Sequence, residues 1–565
     1  MKKTIFTLFT IVLLVNYTVA QEKYPQDYFR NPLGIPMILS GTFGELRTSH
    51  FHSGIDLKTQ QKEGLKVYTA AEGYVSRIKI SNWGYGKALY ITHPNGYTTV
   101  YAHLKNFNKT IEKYIHSYQY KKEKEEIQLF PEKSELLIEK DEIIAYSGST
   151  GGFIAPHLHF EIRNTKTAKI INPMHFGFIP PDSKAPVINH VRAYMFNDSS
   201  HVNSSNIEIP INFKQDRTGV YQTDRINAYG KIGFAINTFD RLDGALNKNG
   251  IYKLEMFVNG KKTFEHKVET FSFDESKYIN LHIDYSFYAE HKRKYQKTYI
   301  HPENKLSTYL RTKEKGYLQI EDKLNYQVVI KVTDFVGNLS ELTIPIIGKK
   351  MIPKIKKEKS KTAFYIDKEQ SKEITIETVK IYFPKNSFYD SSYLDISLKD
   401  NLLKVHTPNI PLNKSYRISF NVKNLSKEQR DKMYIARVVN NKYYNYCNTV
   451  KTDSTFMTTT KKLGNYKLHS DMEPPVISHC SFYKNQNLSN NRFFNIRVID
   501  KTSGLKEYRG EIDGKWVRME LNVKTNTLTF DFNDLELKKG KHTFTLVAMD
   551  NVGNTSSFTS LFLLK

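Results

Sequence analysis

Pro156-His157-Leu158-His159-Phe160-Glu161-Ile162 alternates apolar with polar side chains. In a strand, successive side chains point to opposite faces, so His157 and His159 share one side while Leu158 and Phe160 enter the layer behind. Two further motifs come earlier in the chain: His52-Ser-Gly-Ile-Asp56, about a hundred residues upstream, and Tyr101-Ala-His103-Leu104 between them. Together they supply two histidines and one carboxylate for a metal, plus two more histidines able to move protons. A borderline cation such as zinc takes this donor set. Three protein ligands leave a fourth position open for water, which marks a catalytic rather than a structural site.

Taken singly, each motif is weak, because a lone histidine is usually a satisfied core or surface residue. Context strengthens them. Gly148-Ser-Thr-Gly-Gly152 reads as a turn that brings the His157–Ile162 strand beside the other motifs. The run Lys87 to Thr92, the turn Pro94-Asn-Gly96 and the run Tyr97 to Ala102 outline a hairpin, with His103 ending its second strand. Leu65–Ala71 and Gly73–Ile80 are also β-prone. One helix is predicted from about Lys109 to Glu126, where charges alternate with Ile111, Tyr114, Ile115 and Tyr118. Residues 21–181 thus read mostly as antiparallel sheet.

These residues resemble the lysostaphin-like (LytM-type) zinc endopeptidases of bacterial cell walls. The likeness covers about 30–180 and includes His52-x-x-x-Asp56, Tyr101-x-His103-Leu104, Gly148-x-Thr150-Gly151 and His157-x-His159-Phe-Glu161, in family order. It implies that His52, Asp56 and His159 bind Zn2+, while His103 and His157 flank the reacting water and the scissile carbonyl. There is no Glu base of the His-Glu-x-x-His kind, so a histidine with an ordinary pKa of about 6.5 must take the proton. His157 is assigned as base and His103 as transition-state stabiliser. His50 is a rival ligand, but only His52 has the family's spacing to Asp56. Glu161 and His93 read as structural or surface residues. Two departures stand out: Gly152-Phe-Ile-Ala-Pro156 is longer than the family's usual turn, and the stretch between His103 and Asp141 is long enough for a helical lid or substrate wall.

The chain has 565 residues, enough for three or four domains. Lys2 and Lys3, the apolar run Ile5 to Val15 and the small residues ending at Ala20 describe a secretory signal peptide at 1–20. No cysteine follows that run, so a lipoprotein anchor is not expected. No later stretch has the length of a membrane span. The expected location is the periplasm, or outside the cell. The formal charge is +25. Attraction to an anionic envelope surface is one reading, but the basic residues are dispersed and compositional bias explains them better. An exported protein has little call for a nucleic-acid partner. The two cysteines, Cys447 and Cys480, do not make a disulfide framework, and a bridge between them is the less favoured reading.

Beyond Pro181 an internal repeat begins. Asp182-Ser-Lys-Ala-Pro186-Val-Ile-Asn-His190 recurs as Asp471-Met-Glu-Pro-Pro475-Val-Ile-Ser-His479, Asp240-Arg-Leu-Asp-Gly244 as Asp500-Lys-Thr-Ser-Gly504, and Asp334-Phe-Val-Gly-Asn338 as Asp550-Asn-Val-Gly-Asn554. The offset falls from 289 to 260 to 216, so the first copy carries insertions of 29 and then 44 residues, the second of them assigned to the Tyr- and Lys-rich stretch 264–320. Alternating strands and turn spacing suit immunoglobulin-like β-sandwiches at 182–350 and 471–565. A third β-rich unit lies at 351–470, behind a lysine-rich linker. The Asp-x-Val-Gly-Asn element reads as a turn in which Asp and Gly serve the backbone. A calcium site at Asp334 or Asp550 is the weaker reading.

The expected whole is a mainly β chain: a LytM-type peptidase followed by two or three sandwich domains. The activity implied is hydrolysis of peptide cross-links in peptidoglycan, with its peptide stems as partner. The alternative is a non-catalytic LytM-type regulator of other wall hydrolases. Such relatives lack some ligands, whereas all five histidine and aspartate positions are present here. A third reading gives the sandwiches an adhesive role, but no aromatic binding platform is legible in them. The family cuts both glycine bridges and direct D-amino acid cross-links. The layout resembles exported proteins of Gram-negative bacteria and favours the direct D-alanyl–diaminopimelate bond.

Overall fold

Short β-branched and aromatic runs punctuated by Gly and Asn turns give a mainly β chain of several sheet-built units. The computed structural model describes residues 24–152, 155–310, 314–356, 362–440 and 442–565. The signal peptide, Phe153 and Ile154 of the turn before His157, and much of the lysine-rich linker lie outside the described residues.

The first unit is built on one antiparallel sheet with strand order Leu39–Gly41, Ile55–Lys58, His157–Asn164, Tyr97–Ala102, Lys87–Thr92, Gly73–Ile80, Ile127–Leu129. The Lys87–Thr92 and Tyr97–Ala102 strands pair as the hairpin that the Pro94-Asn-Gly96 turn predicts. Strand His157–Asn164 lies at the centre, with Ile55–Lys58 on one side and Tyr97–Ala102 on the other. Its Leu158, Phe160 and Ile162 enter a core shared with Leu57, Tyr101, Val67 and Ala145. His157, His159 and Glu161 occupy the opposite face, as the alternation requires. That face is covered too, since all three are buried.

Tyr101 fixes one flank. It is wholly buried, its ring packs 5.4 Å from that of Phe160, and its hydroxyl accepts the Ala70 N–H at 2.7 Å and the Thr99 hydroxyl at 3.0 Å. The strand stops at Ala102, one residue before His103, whose φ of +58° turns the chain sharply. His103 therefore sits at a corner rather than ending the strand.

The predicted helix forms over Lys109–Lys122, capped by the Asn108 side chain, and ends short of Glu126 because Glu123 takes a left-handed conformation at φ +47°. Ile111 and Ile115 bury against the core. The helix is not a lid. Its far end docks on the last unit: Tyr120 meets Trp516 edge-on at 5.1 Å, Glu123 pairs with Arg509 at 2.6 Å, and Glu125 accepts the Leu521 N–H at 3.1 Å. Between the two units lies a cavity of about 1310 Å3, walled by the helix and by Ser149–Gly151.

Three more cores follow along the chain. The second is not separate from the first unit: Phe43, Phe51 and Ile170 belong to it, and strand Ile170–Ile171 pairs with Thr270–Phe271. Helices Phe273–Ser276, Ile279–His282 and Tyr285–His291 fill the stretch that lengthens the first repeat copy. The third core runs from Ile366 to Tyr466 and the fourth from Phe482 to Phe562. Cys447 and Cys480 are unpaired, one packed against each of these last cores.

Because Phe160 backs the strand that carries both histidines and is fully buried between Tyr101 and Phe178, Phe160→Ala should destabilise the N-terminal unit by about 3–5 kcal/mol. Differential scanning calorimetry should show its transition moving down while that of the last unit stays in place.

Candidate metal centre

Cross-strand register assembles the site. On the antiparallel pair, His159 stands directly opposite Asp56, and across the other edge it faces Ala102, the residue before His103. His52 enters from the hairpin that precedes Asp56, where its N–H donates to Glu45 O and its carbonyl accepts the Gly44 N–H. The chain thereby gathers His52, Asp56, His103, His157 and His159 at one place. His50 is exposed on the tip of that hairpin and His93 is buried elsewhere, bonded to Glu72 O and Thr99.

The hydrogen bonds around each ring set its tautomer, since a carbonyl or carboxylate only accepts. His52 Nδ1–H donates to Thr42 O at 2.8 Å, which leaves its Nε2 lone pair facing inward. His159 Nε2–H donates to Glu161 Oε1 at 2.8 Å, which leaves Nδ1 facing inward. Those two nitrogens and Asp56 Oδ1 converge: His52 Nε2 lies 3.0 Å from the carboxylate and 3.1 Å from His159 Nδ1, and His159 Nδ1 lies 2.9 Å from the carboxylate. Three buried acceptors pointing at one another repel unless a proton or a metal ion sits among them. Two ligands about 2.0–2.1 Å from a tetrahedral zinc stand roughly 3.3 Å apart, so a slight opening of this triangle admits the ion. His52, Asp56 and His159 form a group able to hold a metal ion.

His103 and His157 flank the triangle. His157 Nδ1–H donates to Ala155 O at 2.9 Å, and its Nε2 lies 3.6 Å from Asp56 Oδ1. His103 Nδ1–H donates to Thr150 O at 2.9 Å, and its ring centroid is 4.8 Å from that of His157. Both rings therefore turn Nε2 toward the centre. Burial, reinforced by the neighbouring histidines, pushes His103 down to about 3. Burial also lowers His157.

The carboxylates behave in the opposite sense. Burial works against charge on Asp56, but the adjacent His52 and His159 rings, with a proton shared among the three when no cation is bound, outweigh it and hold the carboxyl well below its usual range. Its second oxygen accepts from Arg47 at 2.9 Å. Burial likewise opposes charge on Glu161, yet Arg163 and His159 keep it ionised. For His159, burial favours the neutral ring, but Asp56 and Glu161 push it up to about 9 in the absence of a cation.

Several participants are not legible in the sequence motifs. Glu161, expected to be merely structural, accepts from His159, from Ser53 Oγ at 2.6 Å and from Tyr85, while Arg163 holds its other oxygen. It fixes the His159 tautomer in the way a carboxylate behind a ligating histidine does. The period-two spacing from His159 could have pointed to it. Tyr85, Arg47 and Thr42 carry no such signal. Two loops close against each other beside the site: a Cβ on Gly151 would lie 2.3 Å from Gly84 O, and one on Gly86 would lie 2.4 Å from Thr150 Oγ1, so only glycine fits either place.

Residues 50–173 match the model of peptidase family M23, and residues 362–471 match that of the Zu5-like domain. Over 137 residues the chain is 31% identical to the DD-carboxypeptidase/endopeptidase Mpg of Neisseria meningitidis serogroup B, a span that is 24% of this chain and 25% of that protein. It is 29% identical over 123 residues to an uncharacterized metalloprotease of Haemophilus influenzae, covering 22% of this chain and 20% of that one. The chain thus spans about a quarter or less of the length of these relatives. Among solved structures, the catalytic domain of lysostaphin from Staphylococcus simulans is similar, with 23% identity, a TM-score of 0.19, and coverage of 25% of this chain and 91% of that domain. A zinc containing peptidase from Vibrio cholerae also matches, at 23% identity and a TM-score of 0.20, over 27% of this chain and 40% of that one. The N-terminal unit is an M23 (LytM-type) peptidase domain.

Glu161→Gln keeps the acceptor for His159, Ser53 and Tyr85 but removes the charge. Metal affinity should fall about 10–100-fold, whereas His159→Ala should remove tight binding altogether. Competition against a chromophoric chelator would measure both.

Proposed function

We propose that this chain is a zinc-dependent endopeptidase that hydrolyses peptide cross-links of bacterial peptidoglycan in the periplasm or outside the cell. The observation that carries the reading is the convergence of His52 Nε2, Asp56 Oδ1 and His159 Nδ1 within an M23-type domain, flanked by two histidines of matching tautomer. Those three residues would hold Zn2+, which when bound supplies Lewis-acid polarisation of the scissile carbonyl and acidifies a water.

The remaining work falls to the protein's own groups. His157 is held toward the neutral form by burial, with Nδ1–H committed to Ala155 O, so its Nε2 lone pair is the atom that accepts a proton from the attacking water. The resulting imidazolium can pass that proton to the leaving amine. His103 carries the same tautomer and is held neutral by burial. Its Nε2 can accept the second proton of the attacking water, and the imidazolium so formed would stabilise the tetrahedral oxyanion before that proton, too, passes to the leaving amine. Glu161 and Thr42 keep His159 and His52 turned so that their inward nitrogens stay unprotonated and available. Arg47 neutralises the outer oxygen of Asp56, leaving Oδ1 for the metal.

The peptide stems of the wall are the proposed substrate. The name of the Neisseria relative, a DD-carboxypeptidase/endopeptidase, supports a bond between D-configured centres, and the direct D-alanyl–diaminopimelate cross-link is the one we assign.

The test is incubation of the purified protein with cross-linked dimeric wall fragments, with and without chelator. Wild type should release monomers and chelator should stop it. His103→Ala and His157→Ala should retain zinc while losing about 10²–10⁴-fold in kcat, and His159→Ala should lose both zinc and activity. Intact dimers under wild type, or a His159→Ala protein as active as wild type, would reject the proposal.

A further inference from the structure

The three repeated sequence elements each begin with an aspartate, and the fold brings all three together twice. Asp182, Asp240 and Asp334 each offer a ligand oxygen within 4.8 Å of the others in the first copy, and Asp471, Asp500 and Asp550 do so in the last. Oxygens bound to one calcium ion at about 2.3–2.6 Å are at most roughly 5 Å apart, so both triads have the span of a coordination shell.

The wiring around the last aspartate of each triad is closely similar. Asp334 accepts the N–H groups of Gly337 and Asn338 and the Asn338 side chain; Asp550 accepts the Val552 and Asn554 N–H groups and the Asn554 side chain. Asn338 and Asn554 then reach the carbonyls of Asp182 and Asp471, and Ser340 and Ser556 bond Pro186 and Pro475. These bonds account for the turn, and by themselves they point to no ligand.

Unpartnered buried groups do. Asp240 is 2% exposed and its Oδ1 has no hydrogen-bond partner, although two other carboxylates stand beside it. Asn249, also 2% exposed, is bonded to Asp240 backbone to backbone in both directions, so the two side chains share one face. Neither its amide oxygen nor its nitrogen has a partner. In the last unit Ser503 gives its backbone N–H to Asp471 Oδ2, while its hydroxyl, at 2% residue exposure, has none. A cavity of about 20 Å3 lined by Asp182, Asp240 and Tyr252 has room for one water-sized particle.

Charge balance points the same way. Among the described residues no Lys, Arg or His nitrogen lies within 4.0 Å of any of the six carboxylates; Lys184 pairs with Asp243 and Lys432 bonds Asn554 instead. Without a cation, burial and then Asp182 push Asp240 up to about 7, and burial raises Asp182 to about 6. Buried carboxylates held this close are neutralised by protons or by metal.

We propose that each triad is a calcium site, one in the unit that follows the peptidase and one in the last unit. The donors are all oxygens, with no imidazole or thiolate among them, which selects a hard cation over zinc. Asn249 and Ser503 would each add a fourth protein oxygen, with water and second carboxylate oxygens making up the rest of a shell of about six to eight.

To test this, the protein is stripped with EGTA, desalted, reloaded with one equivalent of zinc and titrated with calcium. Terbium, sensitised by Tyr252 beside the first triad and by Tyr434, whose hydroxyl donates to Thr502 O next to the second, reports occupancy and is displaced by calcium. Two equivalents should bind with Kd of about 1 mM or tighter, magnesium at least tenfold more weakly, and melting should shift upward. Asp240→Asn and Asp500→Asn should each leave one equivalent, and the double variant none. A folded wild type that shows no calcium response up to about 10 mM overturns the proposal. So does an Asp240→Asn protein that melts higher without calcium yet responds to calcium as wild type does, because the triad would then be a proton-sharing cluster.

Discussion

The antiparallel pairing that sets His159 directly across from Asp56 is the constraint on which the rest of the site depends. Side chains alternate with a period of two, so a slip of one residue would carry His157, His159 and Glu161 into the core and bring Leu158 and Phe160 out. The buried aromatic layer of Tyr101, Phe160 and Phe178 makes that slip prohibitive. Hydrophobic burial on one face of the strand thus fixes the polar geometry on the other. The same strand borders Ala102, so the corner at His103 is placed by the ladder as well.

Once register is fixed, the electrostatics follow from which atoms are already committed. In the neutral ring every inward nitrogen is an acceptor, because the outward nitrogen donates to a carbonyl or carboxylate: Thr42 for His52, Glu161 for His159, Thr150 for His103 and Ala155 for His157. The two kinds of partner separate the histidines by role. Carboxylates raise His159, whereas His103 and His157, bonded to neutral carbonyls and buried, stay uncharged. Donors for a cation and acceptors for a proton thereby coexist in one small space.

Much of this was legible in the chain. Alternation around His157 predicted the strand and its two faces, and the Pro94-Asn-Gly96 turn predicted the hairpin leading to His103. What could not be read was anything that depends on distant chain folding back. Thr42, Arg47, Tyr85 and Arg163 touch the ligands through loops whose local sequence carries no periodic signal. Glu161 looked structural because its partners, Ser53 and Tyr85, are far away in sequence. The long stretch after His103 reads as a helical lid or substrate wall; its helix is held at its far end by Trp516, Arg509 and Leu521, nearly four hundred residues downstream, contacts no local sequence signal announces. The repeat was visible as a pattern of aspartates, yet reading Asp334 and Asp550 singly as turn residues hid that Asp182 and Asp240, or Asp471 and Asp500, close on them.

The first triad also bears on the peptidase. Asn249, opposite Asp240, is followed by Gly250, whose N–H donates to Thr42 Oγ1 at 3.1 Å, and Thr42 O is the acceptor that orients His52. The path from carboxylate triad to ligating imidazole therefore runs through one backbone bridge, one side chain and one carbonyl. Phe51, adjacent to His52, is buried in the core of that same neighbouring unit and gives its N–H to Ser276 at 2.9 Å. The last unit reaches the other side of the centre: Glu520 pairs with Lys87, whose N–H donates to Thr150 Oγ1, and Lys524 bonds Ser149 O, next to the Thr150 carbonyl that orients His103. The two triads are alike in wiring but not in position. Of the two repeat copies, the first is an integral support of the His52 side of the centre, and whatever neutralises Asp182, Asp240 and Asp334 stiffens the loop on which that support rests.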